Sequence, residues 1–348
     1  MSVPSSTKQW VVTNTASNFS GLQLQDAPIP KLGDNDVLIK IHAAPLNYRD
    51  LAIARGEYPR AISLPVVPAS DGSGSVIAVG PRVTQWKKGD RVLTLFNQAH
   101  QHGELNPRAG ATDLGGNIDG TLRQYAVYSE NGLVRAPENL DWVEASTLTC
   151  SGVTAWNALY GLQGKMLKPG EWVLVQGTGG VSLFALQFAK AAGAKVIATT
   201  SSATKVELLK KLGADHVINY KEDQDWGKTA KSFTPDGDGV DHVIEVGGPD
   251  TLGHSLNAIK YGGVISVIGF LSGFQPKESA LEALFRGCIL RGIMIGSRAQ
   301  FGDMVRAIEA NGIRPVVDEK VFGFGEVKEA YEYLAAAKHV GKVAIKVD

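Results

Sequence analysis

The sequence predicts an α/β protein of two domains, one of them a doubly wound parallel sheet. Three observations predict it. An apolar run, Trp172-Val173-Leu174-Val175-Gln176, feeds directly into Gly177-Thr178-Gly179-Gly180-Val181-Ser182. Downstream of it, short β-branched runs alternate with helical segments. Before residue 100 the chain instead carries short strands separated by Pro and Gly, a different texture.

The glycine stretch reads as a strand, a sharp turn and a helix. Gly177 and Gly179 let the backbone turn and approach a pyrophosphate, and the following helix offers free N–H groups and a positive dipole end. The third fingerprint position of G-x-G-x-x-G is Ser182, so the match is imperfect, yet the strand before and the helix after supply the required context. A dinucleotide site at Gly177, Thr178, Gly179, Gly180 and Val181 is therefore expected, with a merely structural turn as the alternative. The helix over 182–192 is apolar on most of its surface and stops at Gly193. Val196-Ile197-Ala198 gives a second strand, and 205–212 a second helix ended by Gly213. Val217-Ile218-Asn219, 240–246 and 264–268 complete the set. Such alternation means crossover units and a parallel sheet covered on both faces.

In the first part, Val37-Leu38-Ile39-Lys40-Ile41, Gly74-Ser75-Val76-Ile77-Ala78-Val79 and Arg91-Val92-Leu93-Thr94-Leu95 are strands of a compact, β-barrel-like domain. Residues 96–120 lack a period and form either an ordered surface lobe or a flap. Residues 326–338 read as a helix and 343–347 as a strand that returns to the first domain.

A chain of 348 residues exceeds one typical core and fits two. Lys plus Arg and Asp plus Glu are equal at 35 each, so nothing favours a nucleic acid or an anionic membrane as partner. Two cysteines, Cys150 and Cys288, suit a reducing compartment and exclude a Cys-rich zinc module. No apolar run approaches the roughly 20 residues that span a bilayer, and residues 1–10 lack a targeting pattern. The cytosol is the expected location.

Several segments, in order, resemble the medium-chain dehydrogenase/reductase superfamily. They are Asn47-Tyr48-Arg49-Asp50, Asp71-Gly72-Ser73-Gly74, Val79-Gly80, Gly89-Asp90-Arg91-Val92, Asp119-Gly120-Thr121, Gly152-Val153-Thr154-Ala155-Trp156, the glycine turn, Leu212-Gly213-Ala214-Asp215 and Gly341-Lys342-Val343. The resemblance covers nearly the whole chain. It implies a discontinuous GroES-like catalytic domain over 1–130 and 297–348, a Rossmann nucleotide-binding domain over 131–296, and an active site in the cleft between them. It also implies a homodimer paired through an edge strand at 289–295.

Zinc decides the chemistry of this superfamily. Its zinc alcohol dehydrogenases hold catalytic metal through a Cys, a His and a third Cys or Asp. The first position matches Asn47, the Gly-His-Glu motif matches Ala69-Ser70-Asp71, and Cys150 matches a third ligand position. An amide, a hydroxyl and one thiol do not make a tetrahedral zinc site. The loop that would carry a four-cysteine structural lobe contains no cysteine, and His100 and His102 within it lack a third ligand in view. No metal is expected, Cys150 is read as a small buried hydrophobe, and the chain resembles the zinc-free branch of quinone and enone reductases.

An NAD-preferring site places an acid about 20 residues beyond the glycine turn. Thr199, Thr200, Ser201 and Ser202 stand there instead, followed by Lys205. By resemblance, Lys205 and Tyr220 match residues that hold a 2′-phosphate, so NADP(H) is the expected cofactor. Ser201 and Ser202 could equally cap the next helix, and Lys205 could be a solvated charge. Resemblance also places Thr154 at the nicotinamide end, the backbone of Ile268-Gly269-Phe270 at the carboxamide, and Lys342 near the cofactor; Arg298, where the chain re-enters the expected cleft, could orient a polar substrate or a cofactor phosphate. Arg298 could equally be a plain surface residue.

Tyr58 matches the tyrosine that zinc-free reductases place beside the nicotinamide. Its phenol could donate to a carbonyl oxygen or protonate carbon, or simply pack before Pro59. Asn47 could hydrogen-bond a substrate carbonyl or a ribose, or act as an Asx cap. Arg49 and Asp50 are expected to form a local ion pair. The implied activity is zinc-independent, NADPH-dependent hydride transfer to a small quinone or α,β-unsaturated carbonyl. The alternatives are an alcohol dehydrogenase or carbonyl reductase of the same superfamily and a catalytically idle nucleotide-binding protein.

Overall fold

The computed structural model describes residues 4–347. The chain divides into two compact units, Met1–Val153 with Ser297–Asp348, and Thr154–Gly296. In the first, β1 (Ser6–Val12) and β2 (Leu22–Pro28) form an antiparallel ribbon. Next come β3 (Asp36–Ala43), β4 (Ser73–Val79), β5 (Arg91–Thr94), β6 (Tyr125–Ser129) and β7 (Leu133–Arg135). In β3, Val37, Leu38, Ile39 and Ile41 are all buried, because the strand lies between β4 and β6.

The second unit holds β8 (Trp172–Gln176), β9 (Lys195–Thr200), β10 (His216–Asn219), β11 (Val240–Glu245), β12 (Ile259–Val267) and β13 (Ile289–Gly292). They pair in parallel in the order β10-β9-β8-β11-β12-β13. The order reverses between β8 and β11, which is the switch point where doubly wound sheets bind ligands at their strand C-termini. Val173, Leu174 and Val175 of β8 are completely buried, each contributing roughly 1.5–3 kcal/mol by leaving water. The crossover helix Gly180–Ala191 buries Leu183, Phe184, Leu186 and Phe188.

The chain then re-enters the first unit through helix Arg298–Asn311, β14 (Val317–Gly323), helix Val327–Ala335 and β15 (Lys342–Lys346). The first sheet runs β14-β15-β3-β4-β5-β7, with β6 on β3. Residues 131–153, which the sequence assigns to the nucleotide domain, belong to the first unit. The reason is pairing: β7 lies antiparallel to β5, the Ser73 hydroxyl donates to the Trp142 carbonyl at 2.6 Å, and the Thr149 hydroxyl donates to the Thr94 carbonyl at 2.9 Å. Residues 96–120 are an ordered lobe, with bridges Asn97↔Asp113 and Leu114↔Ile118 and buried Phe96, His100 and Leu114. Among the described residues no helix is long and apolar enough to cross a membrane.

Candidate functional site

The second unit supplies a phosphate cradle. Gly177 follows β8 with φ +72°, a left-handed turn that favours glycine, and its N–H donates to the Thr199 carbonyl at 2.9 Å. A methyl group built on Gly177 or Gly179 would meet no described protein atom within 4 Å. The space in front of the turn is thus one that a side chain would fill and that bare backbone leaves to a ligand. Gly179 caps helix Gly180–Ala191 with no side-chain bond, so the first-turn N–H groups are offered outward beside buried Thr178. Ser182, the departure from the fingerprint, donates its hydroxyl to the Gln176 carbonyl at 2.6 Å and ties the helix back to the strand. These features fit a dinucleotide pyrophosphate.

Beside the cradle, the ends of β9 and β10 lie together. Tyr220 N–H donates to the Thr200 carbonyl at 3.0 Å, and the Thr200 hydroxyl accepts from Ser202 N–H at 3.2 Å. Ser201, Ser202 and Lys205 are half-buried and Tyr220 is exposed. Ser202 stands at the cap position of the short 3₁₀ turn Ala203–Lys205 without making a cap bond; its hydroxyl pairs with that of Thr204 at 2.7 Å. On the far side of the switch point, Ile268 and Gly269 N–H both donate to the Glu245 carbonyl, at 2.9 and 3.2 Å, and Phe270 stacks on Phe274. Thr154 opens this unit fully buried, its hydroxyl without a partner among the described residues.

The first unit buries a polar cluster. Leu46 N–H donates to the Val343 carbonyl at 2.9 Å, which brings β15 against the segment entering Asn47. Gly341 makes this approach possible, since its φ is +67° and an added Cβ would lie 2.1 Å from the Val316 carbonyl oxygen. Lys342, 3% exposed, then donates its ammonium to Asn47 Oδ1 and, at 3.3 Å, to Asp71 Oδ2. The Ser70 hydroxyl holds the other oxygen of Asp71 at 2.7 Å. Asn47 makes no side-chain cap bond; its Oδ1 also accepts from Ser151 at 3.5 Å, and its Nδ2 has no partner among the described residues. Ser151 and Cys150 lie on the π-helical turn Leu148–Gly152, a geometry frequent at functional sites. Burial, followed by the charge of Asp71, pushes the Cys150 thiol up to about 12.

The local ion pair expected between Arg49 and Asp50 does not form. Arg49 reaches 64 residues along the chain to Asp113 at 2.5 Å, and donates to the Leu114 carbonyl at 2.8 Å. Asp50 instead accepts Asn47 N–H at 2.7 Å, closing the start of helix Tyr48–Arg55. Burial raises the Asp50 pKa to about 6, against the lowering pull of Arg49. Burial opposes the Arg49 charge too, but Asp50, Tyr58 and Asp113 outweigh it and raise its pKa. Half-buried Tyr58 places its ring 5.5 Å from the guanidinium and its hydroxyl in hydrogen-bond contact with it. Arg298 lies in the first unit, donating to the Leu133 carbonyl at 2.9 Å and to Gln85 at 2.7 Å.

Asp71, expected only as a match to a metal-ligand motif, carries the ammonium of Lys342, and Glu245, not singled out from the sequence, closes β11 as a fully buried carboxylate. An acid ending a buried strand before Gly247-Gly248 is the signal that marks Glu245, since those two N–H groups both donate to it at 2.9 Å.

Residues 33–138 match the alcohol dehydrogenase GroES-like domain family and residues 180–310 the zinc-binding dehydrogenase family. The chain is 47% identical over 345 residues to a zinc-type alcohol dehydrogenase-like protein of Schizosaccharomyces pombe, covering 98% of this chain and 99% of that one. Among solved structures, a candidate alcohol dehydrogenase of Sinorhizobium meliloti superposes with a TM-score of 0.90 at 40% identity, over 99% of this chain and 100% of that one. A crotonyl-CoA carboxylase/reductase superposes with a TM-score of 0.88 at 27% identity, over 99% and 89%. With its GroES-like domain and its parallel-sheet nucleotide-binding domain, the chain belongs to the medium-chain dehydrogenase/reductase superfamily of oxidoreductases.

Proposed function

We propose that the protein is an NADPH-dependent reductase of quinones or α,β-unsaturated carbonyls that works without a metal ion. The observation that carries this reading is the Asn47 amide. Its oxygen is committed to Lys342 and Ser151, which fixes the amide so that Nδ2 presents unpartnered hydrogens from a buried position. A donor stranded in this way costs about 1–3 kcal/mol unless a ligand accepts from it. A carbonyl oxygen is such a ligand.

The donors at the positions that match metal ligands do not fit zinc. The Asn47 amide oxygen and Asp71 are bonded to an ammonium, and the Ser70 hydroxyl is given to Asp71, which leaves Cys150 as the one soft ligand among them. The acid-free end of β9, with Ser201, Ser202, Lys205 and Tyr220, supports NADPH over NADH. Thr154 Oγ1 would bond the nicotinamide end, and the Ile268–Gly269–Phe270 backbone its carboxamide. Bound NADPH supplies the hydride.

As hydride reaches the β-carbon of the acceptor, the π electrons move onto the carbonyl oxygen, where the Asn47 N–H groups meet the new charge. Tyr58, its ring 5.5 Å from the Arg49 guanidinium, supplies the proton to the α-carbon. Two copies pair through β13, consistent with Tyr261, Leu284 and Phe285 being 79%, 70% and 67% exposed on this unit. Light scattering at twice the chain mass checks that pairing.

The test of the activity uses purified, metal-assayed protein, NADPH, and a panel of enones and quinones with and without chelator. Turnover that survives chelation is expected. Loss on chelation with recovery on zinc rejects the reading. The names of the relatives favour alcohol oxidation as a second reading, which steady oxidation of simple alcohols by the metal-free protein would support.

A further inference from the structure

We propose that Lys342 is the resident cation of this site, an ammonium that stabilises the oxyanion formed on the acceptor. The inference rests on the reductase reading above and adds to it the source of positive charge. An ammonium carries three N–H bonds, and Lys342 spends one on Asn47 Oδ1 and one on Asp71 Oδ2. The third N–H and the two hydrogens of Asn47 Nδ2 remain, held by one shared hydrogen bond and nearly cut off from water. Two adjacent donors, one of them charged, are the equipment of an oxyanion hole, and at low local dielectric they act far more strongly than in water. Asp71 balances the resting charge and, with Asn47, fixes the ammonium in place.

This arrangement also selects the acceptor. Reduction of an enone leaves an enolate, and reduction of a quinone leaves a hydroquinone monoanion. Both put a full negative charge on a planar, conjugated oxygen, which a single fixed ammonium neutralises. For an enone the step balances: NADPH gives up a C–H bond as hydride and becomes NADP⁺, a C–H bond forms at the β-carbon, the C=C π pair becomes the new enolate C=C bond, and the C=O π pair becomes a lone pair on oxygen.

The probe is para-nitrophenol, whose phenolate mimics such an oxyanion and is read by its absorbance. With NADP⁺ present, the wild-type protein is expected to bind phenolate about tenfold or more tighter than phenol, seen as a lowered ionisation pH of the bound probe. Lys342→Met combined with Asp71→Asn removes the charge pair without stranding a buried carboxylate. That double variant is expected to keep NADPH binding, lose the phenolate preference and reduce enones about 100-fold more slowly. Lys342→Arg is expected to restore part of the preference.

A wild type without phenolate preference, or a double variant that retains it, overturns the inference and leaves Lys342 as a counter-ion for Asp71. Should the wild type reduce no enone or quinone while phenolate binding still depends on Lys342, the reductase reading fails and the placement of the cation stands. Should wild type and double variant reduce enones equally, the reading stands and the inference fails.

Discussion

Each unit buries a carboxylate, and the two are treated in opposite ways. Glu245 in the second unit accepts from Gln176 Nε2 at 2.8 Å, from Thr251 at 2.5 Å, from Ser255, and from the N–H groups of Gly247 and Gly248. Gln176 in turn accepts from Val246 and Gly247, so the ends of β8 and β11 are locked where the sheet order reverses. Around Asn47 in the first unit, Asn47 Nδ2 and Asp50 Oδ1 are left without partners among the described residues. A saturated network makes a rigid floor; an unsaturated one keeps binding capacity in reserve.

The contrast can be broken most forcefully at Glu245. Glu245→Leu removes the acceptor shared by five donors, and is expected to lower stability by about 3–5 kcal/mol in urea unfolding. An unchanged midpoint would show that the floor is not held by this carboxylate. Asn47→Ala should do the reverse: catalysis of enone reduction falls about 100-fold while stability moves by less than about 1 kcal/mol. A large stability loss with unaltered kinetics would return Asn47 to a purely structural role.

Asp50 sharpens the comparison through pH. Its folded pKa of about 6 lies above the unfolded value, so its stabilising contribution is complete below about 4 and is lost as pH rises through 6. Asp50→Asn is therefore expected to gain about 2–3 kcal/mol relative to wild type between pH 4 and pH 8, measured by chemical denaturation at both values. An equal difference at the two pH values would show that Asp50 is not buried as a reluctant carboxylate. The smallest effect belongs to the β9 edge. Lys205→Ala should raise the KM for NADPH about tenfold and leave that for NADH unchanged, because one charge-assisted contact to a 2′-phosphate is lost. Equal changes for both cofactors would place Lys205 elsewhere.

What the sequence made legible follows from the range of the interactions. The parallel sheet could be read because its signal is local: Val173-Leu174-Val175 before Gly177, or Val217-Ile218-Asn219 after Gly213, each declare themselves within a few residues. The boundary at 131–153 could not, because β7 is three residues long and its identity comes from pairing with Val92, Leu93 and Thr94. Asn47 and Lys342 stood out individually through resemblance. Their meeting did not, since 295 residues separate them and a bend at Gly341 brings them together. Arg49 illustrates the same limit, for a neighbouring acid is a poor guide when a distant one is better placed.

The Cys150 sulfur has a consequence for durability. With its pKa raised to about 12 by burial, the thiol carries little thiolate at neutral pH. Quinones and enones alkylate thiolates readily and neutral thiols slowly. The surroundings that raise this thiol's pKa would therefore slow its alkylation by the acceptors proposed to visit, and so the loss of protein during turnover.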